Sequence, residues 1–171
     1  MHAPQRSLKA RALQWLALRE HSRAELRRKL LPWAVPPADG TDTELEPAAV
    51  QVERLLDWLS ANRFLCEDRF REARVHARSA RFGNLRIRQE LKTHELELGA
   101  EMAQALAASE LQRACAVRAK KFPTGPADLA GRARQARFLA GRGFSPEVIQ
   151  RALRLAAGSN LDADDPDPCP E

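Results

Sequence analysis

An all-α fold of three tandem three-helix repeats, about nine helices in all, is what this 171-residue sequence predicts. Three observations carry that expectation. Leu, Ala, Arg and Glu are abundant, β-branched residues are scarce, Tyr is absent and aromatic residues make up only 5 %. Strands favour β-branched and aromatic side chains, so this usage argues for helix. A turn-and-helix pattern recurs at Arg19 to Leu30, Phe82 to Leu91 and Phe138 to Ile149. Charge alternates in step with it: residues 1–33 hold 8 basic and 2 acidic side chains, 34–60 hold 1 and 6, and the swing repeats twice more. Small units that recur at a fixed period and cannot each bury their own apolar faces pack end to end.

The first repeat is expected over residues 1–63, opening with a helix over about Leu8–Glu20. Ser22 and Glu25 have capping-box spacing, in which each side chain satisfies a backbone N–H at a helix start. The second helix therefore begins at Ser22 and ends at Pro32, which cannot continue the ladder. A Pro-rich insertion, residues 32–47, follows as a loop. The third helix runs from Pro47 to Ala61, with Val52, Leu55, Leu56 and Leu59 as its apolar stripe.

The second repeat, residues 64–108, has a fourth helix carrying Phe70, Ala73, Ala77 and Ala80 at helical spacing and stopped by Gly83. A fifth helix spans Asn84–His94 with Ile87 and Leu91 inward, and a short sixth spans Gly99–Ala108. The third repeat, residues 109–157, opens on a second capping box, Ser109-x-x-Gln112, and its first helix ends at the Phe122–Pro126 cluster. The eighth helix covers Ala127–Gly141. The ninth starts with Ser145 as cap and Pro146 at its first position, and turns Val148, Ile149, Ala152, Leu153 and Ala156 inward. The tail, residues 158–171, is acidic and Pro-rich, which predicts disorder.

Composition excludes several classes. No run approaches the roughly 18 apolar residues of a membrane span, and Ala12–Leu18 is too short for a secretory signal. Cys66, Cys115 and Cys169 are an odd, scattered set, as expected of reduced thiols in the cytoplasm. His2, His21, His76 and His94 are isolated and show no zinc spacing with the cysteines; His21 is expected to serve the turn before Ser22. No phosphate-binding loop, dinucleotide motif or nucleophile context is present. Glu67, Asp68 and Glu72 lie on charged faces where pairing with Arg is the default. No catalytic site, metal or cofactor is expected. The formal net charge of +5 favours a polyanion or an acidic protein surface as partner.

Three basic clusters are the candidate contacts: Arg23, Arg27, Arg28 and Lys29 in the first repeat; Arg81, Arg86, Arg88 and Lys92 in the second; Lys120, Lys121, Arg132, Arg134 and Arg137 in the third. Each could equally be an ordinary solvated face. Trp15, Trp58 and the Phe residues sit beside apolar helical positions and read as core, so base stacking is not the expected mode of contact. Trp33, flanked by proline, is the one aromatic expected to be exposed.

The first unit, Ala12-Leu13 through Arg19-Glu20-His21-Ser22-Arg23-x-Glu25-Leu26-x-x-Lys29-Leu30, resembles the RecX family of bacterial recombination regulators. The likeness continues through Asp57-Trp58-Leu59, Asn62-Arg63-Phe64-Leu65 and Phe138-Leu139-x-x-Arg142-Gly143-Phe144, and covers roughly residues 8–155. The Pro-rich insertion and the acidic tail depart from the pattern. The resemblance implies three tandem three-helix repeats and a non-enzymatic regulator that binds the RecA–DNA filament. It further implies inhibition of strand exchange, ATP hydrolysis and co-protease activity, with consequences for DNA repair, recombination and the SOS response. The expected partners are the RecA filament and single- or double-stranded DNA, with no membrane, and the expected state is a monomer. A helix-turn-helix DNA-binding regulator is the alternative, but it would favour one recognition helix and a symmetric dimer. An adaptor for an acidic protein is a third reading, separated from both by salt-dependent binding to bare DNA.

Overall fold

In the computed structural model the described residues are 7–34 and 47–158, so the acidic tail and most of the Pro-rich insertion lie outside them. Eight α-helices and one 3-10 turn account for the order: α1 (Leu8–Leu18), α2 (Arg23–Leu30), the 3-10 turn (Leu31–Trp33), α3 (Ala48–Ala61), α4 (Glu67–Ser79), α5 (Asn84–Lys92), α6 (Ala100–Lys121), α7 (Leu129–Gly141) and α8 (Pro146–Gly158). There is no strand among the described residues. The fold is all-α. The helices divide into two compact units, one reaching Arg74 and including Thr93–Leu96, the other comprising Val75–Lys92 and the chain from Glu97.

In the first unit, Leu26 and Leu30 of α2 meet Val52, Leu56 and Leu59 of α3, and all five are fully buried. Burying a leucine contributes about 1.5–3 kcal/mol. From α1, Ala12 is fully buried in this centre, and Leu8, Leu13, Trp15 and Leu16 pack against it partly buried. The end of α3 is closed by Arg63, which takes the left-handed conformation at φ 59°. The N–H groups of Phe64 and Leu65 then both return to the Leu59 carbonyl, at 2.9 and 3.1 Å, satisfying an orphan acceptor of the last turn. Trp58 and Phe64 stack over this turn with centroids 5.6 Å apart.

One expectation for α2 needs correction. Ser22 caps α2 by accepting from the Glu25 N–H at 3.1 Å, but the reciprocal half of the capping box is not made. The Glu25 carboxylate is drawn instead to Arg19 and Lys29. Pro32 follows closely on the end of α2 at Leu30, as expected, and the chain tightens there into the 3-10 turn Leu31–Trp33. Trp33 is exposed, as expected, with the Arg11 guanidinium 3.6 Å from its ring centroid, but Phe64, expected in the core, is exposed as well.

In the second unit, Ala114 and Val117 of α6, Leu139 of α7, and Ile149, Ala152 and Leu153 of α8 surround Phe144. The expected sixth and seventh helices are one helix, α6, so eight helices stand among the described residues where about nine are expected. Residues 100–121 contain no Gly or Pro, and Ala, Leu, Glu and Gln sustain helix throughout. Ser109 therefore starts nothing. Its hydroxyl bonds back to the Ala105 carbonyl at 3.1 Å, the usual accommodation of serine inside a helix. The boundary expected between the second and third repeats thus falls within a continuous helix. Phe70 of α4 is buried, but Ala73, Ala77 and, just past the helix, Ala80 are exposed, so the alanine spacing marks no core stripe. That helix ends at Ser79, four residues before the Gly83 expected to stop it.

A buried polar network joins the ends of α4 and α5 to α6. Glu110 accepts from the Asn84 backbone N–H at 2.9 Å and from its side-chain amide at 3.0 Å. An anion thus sits at the positive end of α5. One turn further along α6, Arg113 donates to the carbonyls of Ser79 (3.2 Å) and Phe82 (2.8 Å) and to Asn84 Oδ1 (2.6 Å). Cation and anion on one helix satisfy opposite ends of two others.

Candidate functional site

Long cations bind anions only if they are not already matched, so the partners of each predicted residue decide what it can do. Arg23 and Arg27 share a face of α2, and that face meets acidic residues of the same unit. Arg23 donates to Glu53 at 2.6 Å and to Asp57 at 2.7 Å. Arg27 pairs with Glu53 and reaches Glu95 at 3.4 Å. Their bonds hold the Glu53 carboxyl below the usual carboxylate range. Lys29 lies 3.0 Å from His21 Nε2 and 3.2 Å from Glu25. Arg28 is exposed and, among the described residues, makes no ion pair.

His21 and Glu25 form the hub beneath this helix. His21 is 2 % exposed. Its Nδ1–H donates to the Arg19 carbonyl at 2.9 Å, which leaves Nε2 as acceptor for Lys29 and makes the ring neutral. Burial holds its pKa below the usual 6.5. Burial pushes Glu25 upward, but bonds to Arg19 and Lys29 and nearby positive charge outweigh it, and the carboxyl ends at about 2. The expected role of His21 in the turn before Ser22 is what the geometry shows.

The second cluster is differently placed. Arg81, Arg86, Arg88 and Lys92 are all exposed. Arg81 and Arg86 gather around Phe82 at 5.8 and 5.5 Å from its centroid, and Arg142 joins them at 5.5 Å. Arg78, also at Phe82, is matched by Glu90 at 2.9 Å. In the third cluster, Lys120 and Lys121 end α6, where cations favour the negative end of the helix dipole. Arg134 and Arg137 are exposed, and Arg132 donates to Gln150 at 3.1 Å.

Parts of these two clusters converge. Arg81, Lys120, Lys121 and Arg142 line one cavity of about 400 Å³, together with Ala80, Val117 and Phe138. Arg86, Arg88, Lys92, Arg132, Arg134 and Arg137 do not line it. Arg142 was not among the predicted contacts; its signal in the sequence was its place in the Phe138-Leu139-x-x-Arg142-Gly143-Phe144 motif, one turn after Phe138. Among the described residues, no set of three or more His, Cys, Asp and Glu side chains is grouped to hold a metal, and no helix is long and apolar enough to cross a membrane.

Residues 9–39 match the model of the first three-helix domain of RecX, and residues 108–153 that of the third. A regulatory protein RecX of Ralstonia nicotianae is 49 % identical, with 94 % of each chain covered. The chain belongs to the RecX family. A regulatory protein RecX of Herbaspirillum seropedicae is 48 % identical over 97 % of this chain and 99 % of its own. One from Neisseria meningitidis is 36 % identical over 92 % and 95 %. The stretch matching the first RecX domain thus stops six residues after Trp33, and the stretch matching the third begins inside α6, one residue before Ser109.

Proposed function

We propose that this RecX-family protein is a non-enzymatic, cytoplasmic modulator of RecA. It binds the RecA–DNA filament as a monomer and inhibits strand exchange, ATP hydrolysis and co-protease activity, so regulating repair, recombination and the SOS response. Family membership supports this reading. The single structural observation that carries it furthest is the set of exposed cations with no carboxylate among the described residues: Arg28 in the first unit, and Arg81, Arg86, Arg88, Lys92, Lys120, Lys121, Arg134 and Arg137 in the second. Unmatched cations on an all-helical scaffold suit a long polyanion, whose phosphates supply sequence-independent affinity.

The test is the rate of ATP hydrolysis by RecA from the same organism on single-stranded DNA. Near-stoichiometric protein is expected to suppress it, and to suppress strand exchange in parallel. An unaffected RecA at saturating protein refutes the proposal.

A further inference from the structure

In the first unit several arginines are neutralised by the chain's own carboxylates: Arg19 by Glu25, Arg23 by Glu53 and Asp57, Arg27 by Glu53, and Arg69 by Glu20. The cavity at the end of α6 is built the other way. Arg81, Lys120, Lys121 and Arg142 line it, no carboxylate does, and none of the four makes an ion pair among the described residues. The Arg142 guanidinium lies 5.1 Å from the centroid of Phe138 and 3.5 Å from the Arg81 carbonyl. Val117 and Phe138 supply apolar wall, which limits solvent screening and strengthens the field of the four cations.

We propose that this cavity is a phosphate-binding pocket that takes neighbouring phosphates, either the linked phosphates of a free nucleotide or successive phosphodiesters of a single strand of nucleic acid. Four cations converging on about 400 Å³ call for a dense anion. A carboxylate brings one charge, whereas adjacent phosphates bring several and present oxygens that suit the guanidinium fork. The volume lies within the range of small-molecule sites. For the nucleic-acid source, the inference rests on the filament contact proposed above.

The experiment compares the full chain with K120A/K121A and with R151A/R154A. The second variant removes two exposed cations of α8 that do not line the cavity, and so controls for net charge. Each is titrated with inorganic pyrophosphate, followed by calorimetry at constant ionic strength, and with a labelled single-stranded oligonucleotide, followed by anisotropy. The wild type and R151A/R154A are expected to bind pyrophosphate alike, and K120A/K121A at least tenfold more weakly. If the source is a strand, oligonucleotide affinity falls in the same variant and pyrophosphate competes. Its slope of log K against log salt then drops by about 1.4, roughly 0.7 for each lost contact. If the source is a free nucleotide, only the pyrophosphate arm moves. R81A, changed at an exposed position outside α6, is expected to repeat the loss and guards against a helix-end artefact. Equal binding of pyrophosphate and oligonucleotide by K120A/K121A and R151A/R154A overturns the pocket. So does a K120A/K121A protein that loses RecA inhibition while both affinities stay intact, because the cations would then face an acidic protein surface. A wild type that binds pyrophosphate through this pocket but leaves RecA unaffected sinks the filament reading and leaves the pocket standing.

Discussion

Gly83 and Gly143 meet backbone to backbone. The Gly83 N–H donates to the Arg142 carbonyl at 2.9 Å, and the Leu85 N–H to the Gly143 carbonyl at 3.1 Å. A Cβ at Gly83 would overlap the Gly143 carbonyl and the Cα of Phe144, none of which can rotate away. Gly143 itself has φ +80°, a conformation that costs an L-residue roughly 1–2 kcal/mol. Gly83→Ala is therefore expected to destabilise the protein by about 1–3 kcal/mol, the range of overpacking, seen as a lower midpoint in thermal unfolding. Gly141→Ala is the control, since a Cβ there meets nothing within 4 Å and alanine favours the end of α7. A Gly83→Ala midpoint no lower than that of Gly141→Ala would show that the two turns are not in contact in solution.

Stability should fall in acid in two stages, both traceable to the hub beneath α2. The folded pKa of His21 is held below 6.5 by burial, so the unfolded chain takes up its proton first. Stability is whole above about pH 6.5 and declines below it. Glu25 has a folded pKa of about 2 against 4.5 in the unfolded chain. Its contribution is present above 4.5 and is lost as pH falls from there toward 2. Glu25→Gln keeps the shape but forfeits the charge. It is expected to cost about 1–3 kcal/mol at pH 7, as for buried groups left with poor partners, and to flatten the lower stage in urea unfolding at pH 3 to 7. An unchanged pH profile in this variant would mean the Arg19–Glu25 pair does not persist in solution.

Arg27 and Arg28 are neighbours with opposite assignments. Arg27→Ala breaks the pair with Glu53, a half-exposed interaction worth about 0.2–1 kcal/mol. Arg28→Ala removes an unmatched cation and should leave stability unchanged. In DNA titrations the order reverses: Arg28→Ala is expected to lower the log K against log salt slope by about 0.7–0.9, and Arg27→Ala by less. If Arg27→Ala loses as much slope at unchanged thermal stability, the pair with Glu53 opens to admit phosphate, and the whole cluster belongs to the binding surface.

Much of the fold was legible where one helix could be judged by itself, though not in α4, whose alanine spacing marks no buried stripe. Of the expected stripe, Val52, Leu56 and Leu59 are buried and Leu55 packs beside them partly buried; Ser22 caps α2, and Pro146 opens α8. Legibility failed where a local signal had a second use. Ser109 and Gln112 have cap spacing, yet a serine can return its hydroxyl to its own helix, and no breaker stands nearby to decide the matter. Glu25 has the position of a capping partner but finds Arg19 and Lys29 more attractive than a backbone N–H. For the site, spacing on α2 showed that Arg23 and Arg27 share a face. It could not show that Glu53 and Asp57, 26 to 34 residues away, would meet that face. The convergence of Arg81 with Lys120, Lys121 and Arg142 was equally invisible, because it depends on how α4, α6 and α7 pack. The partnership of Glu110 and Arg113 with the ends of α4 and α5 left no local trace at all.

The continuity of α6 sets a phase relation. Glu110 and Arg113, which hold the α4–α5 corner, and Lys120 and Lys121, which reach the cavity, ride on one rod of 22 residues, about 33 Å long at 1.5 Å per residue. Their angular offset about the rod axis is therefore fixed by residue count alone. One residue added between Arg113 and Lys120 would turn the lysines by about 100° relative to the buried glutamate, swinging them off the cavity while leaving every charge in the sequence. In a chain of separate short helices a loop would absorb such a change; here the axis transmits it in full. The spacing between the structural and the exposed cations of α6 is thus a stricter constraint than the identity of any single lysine.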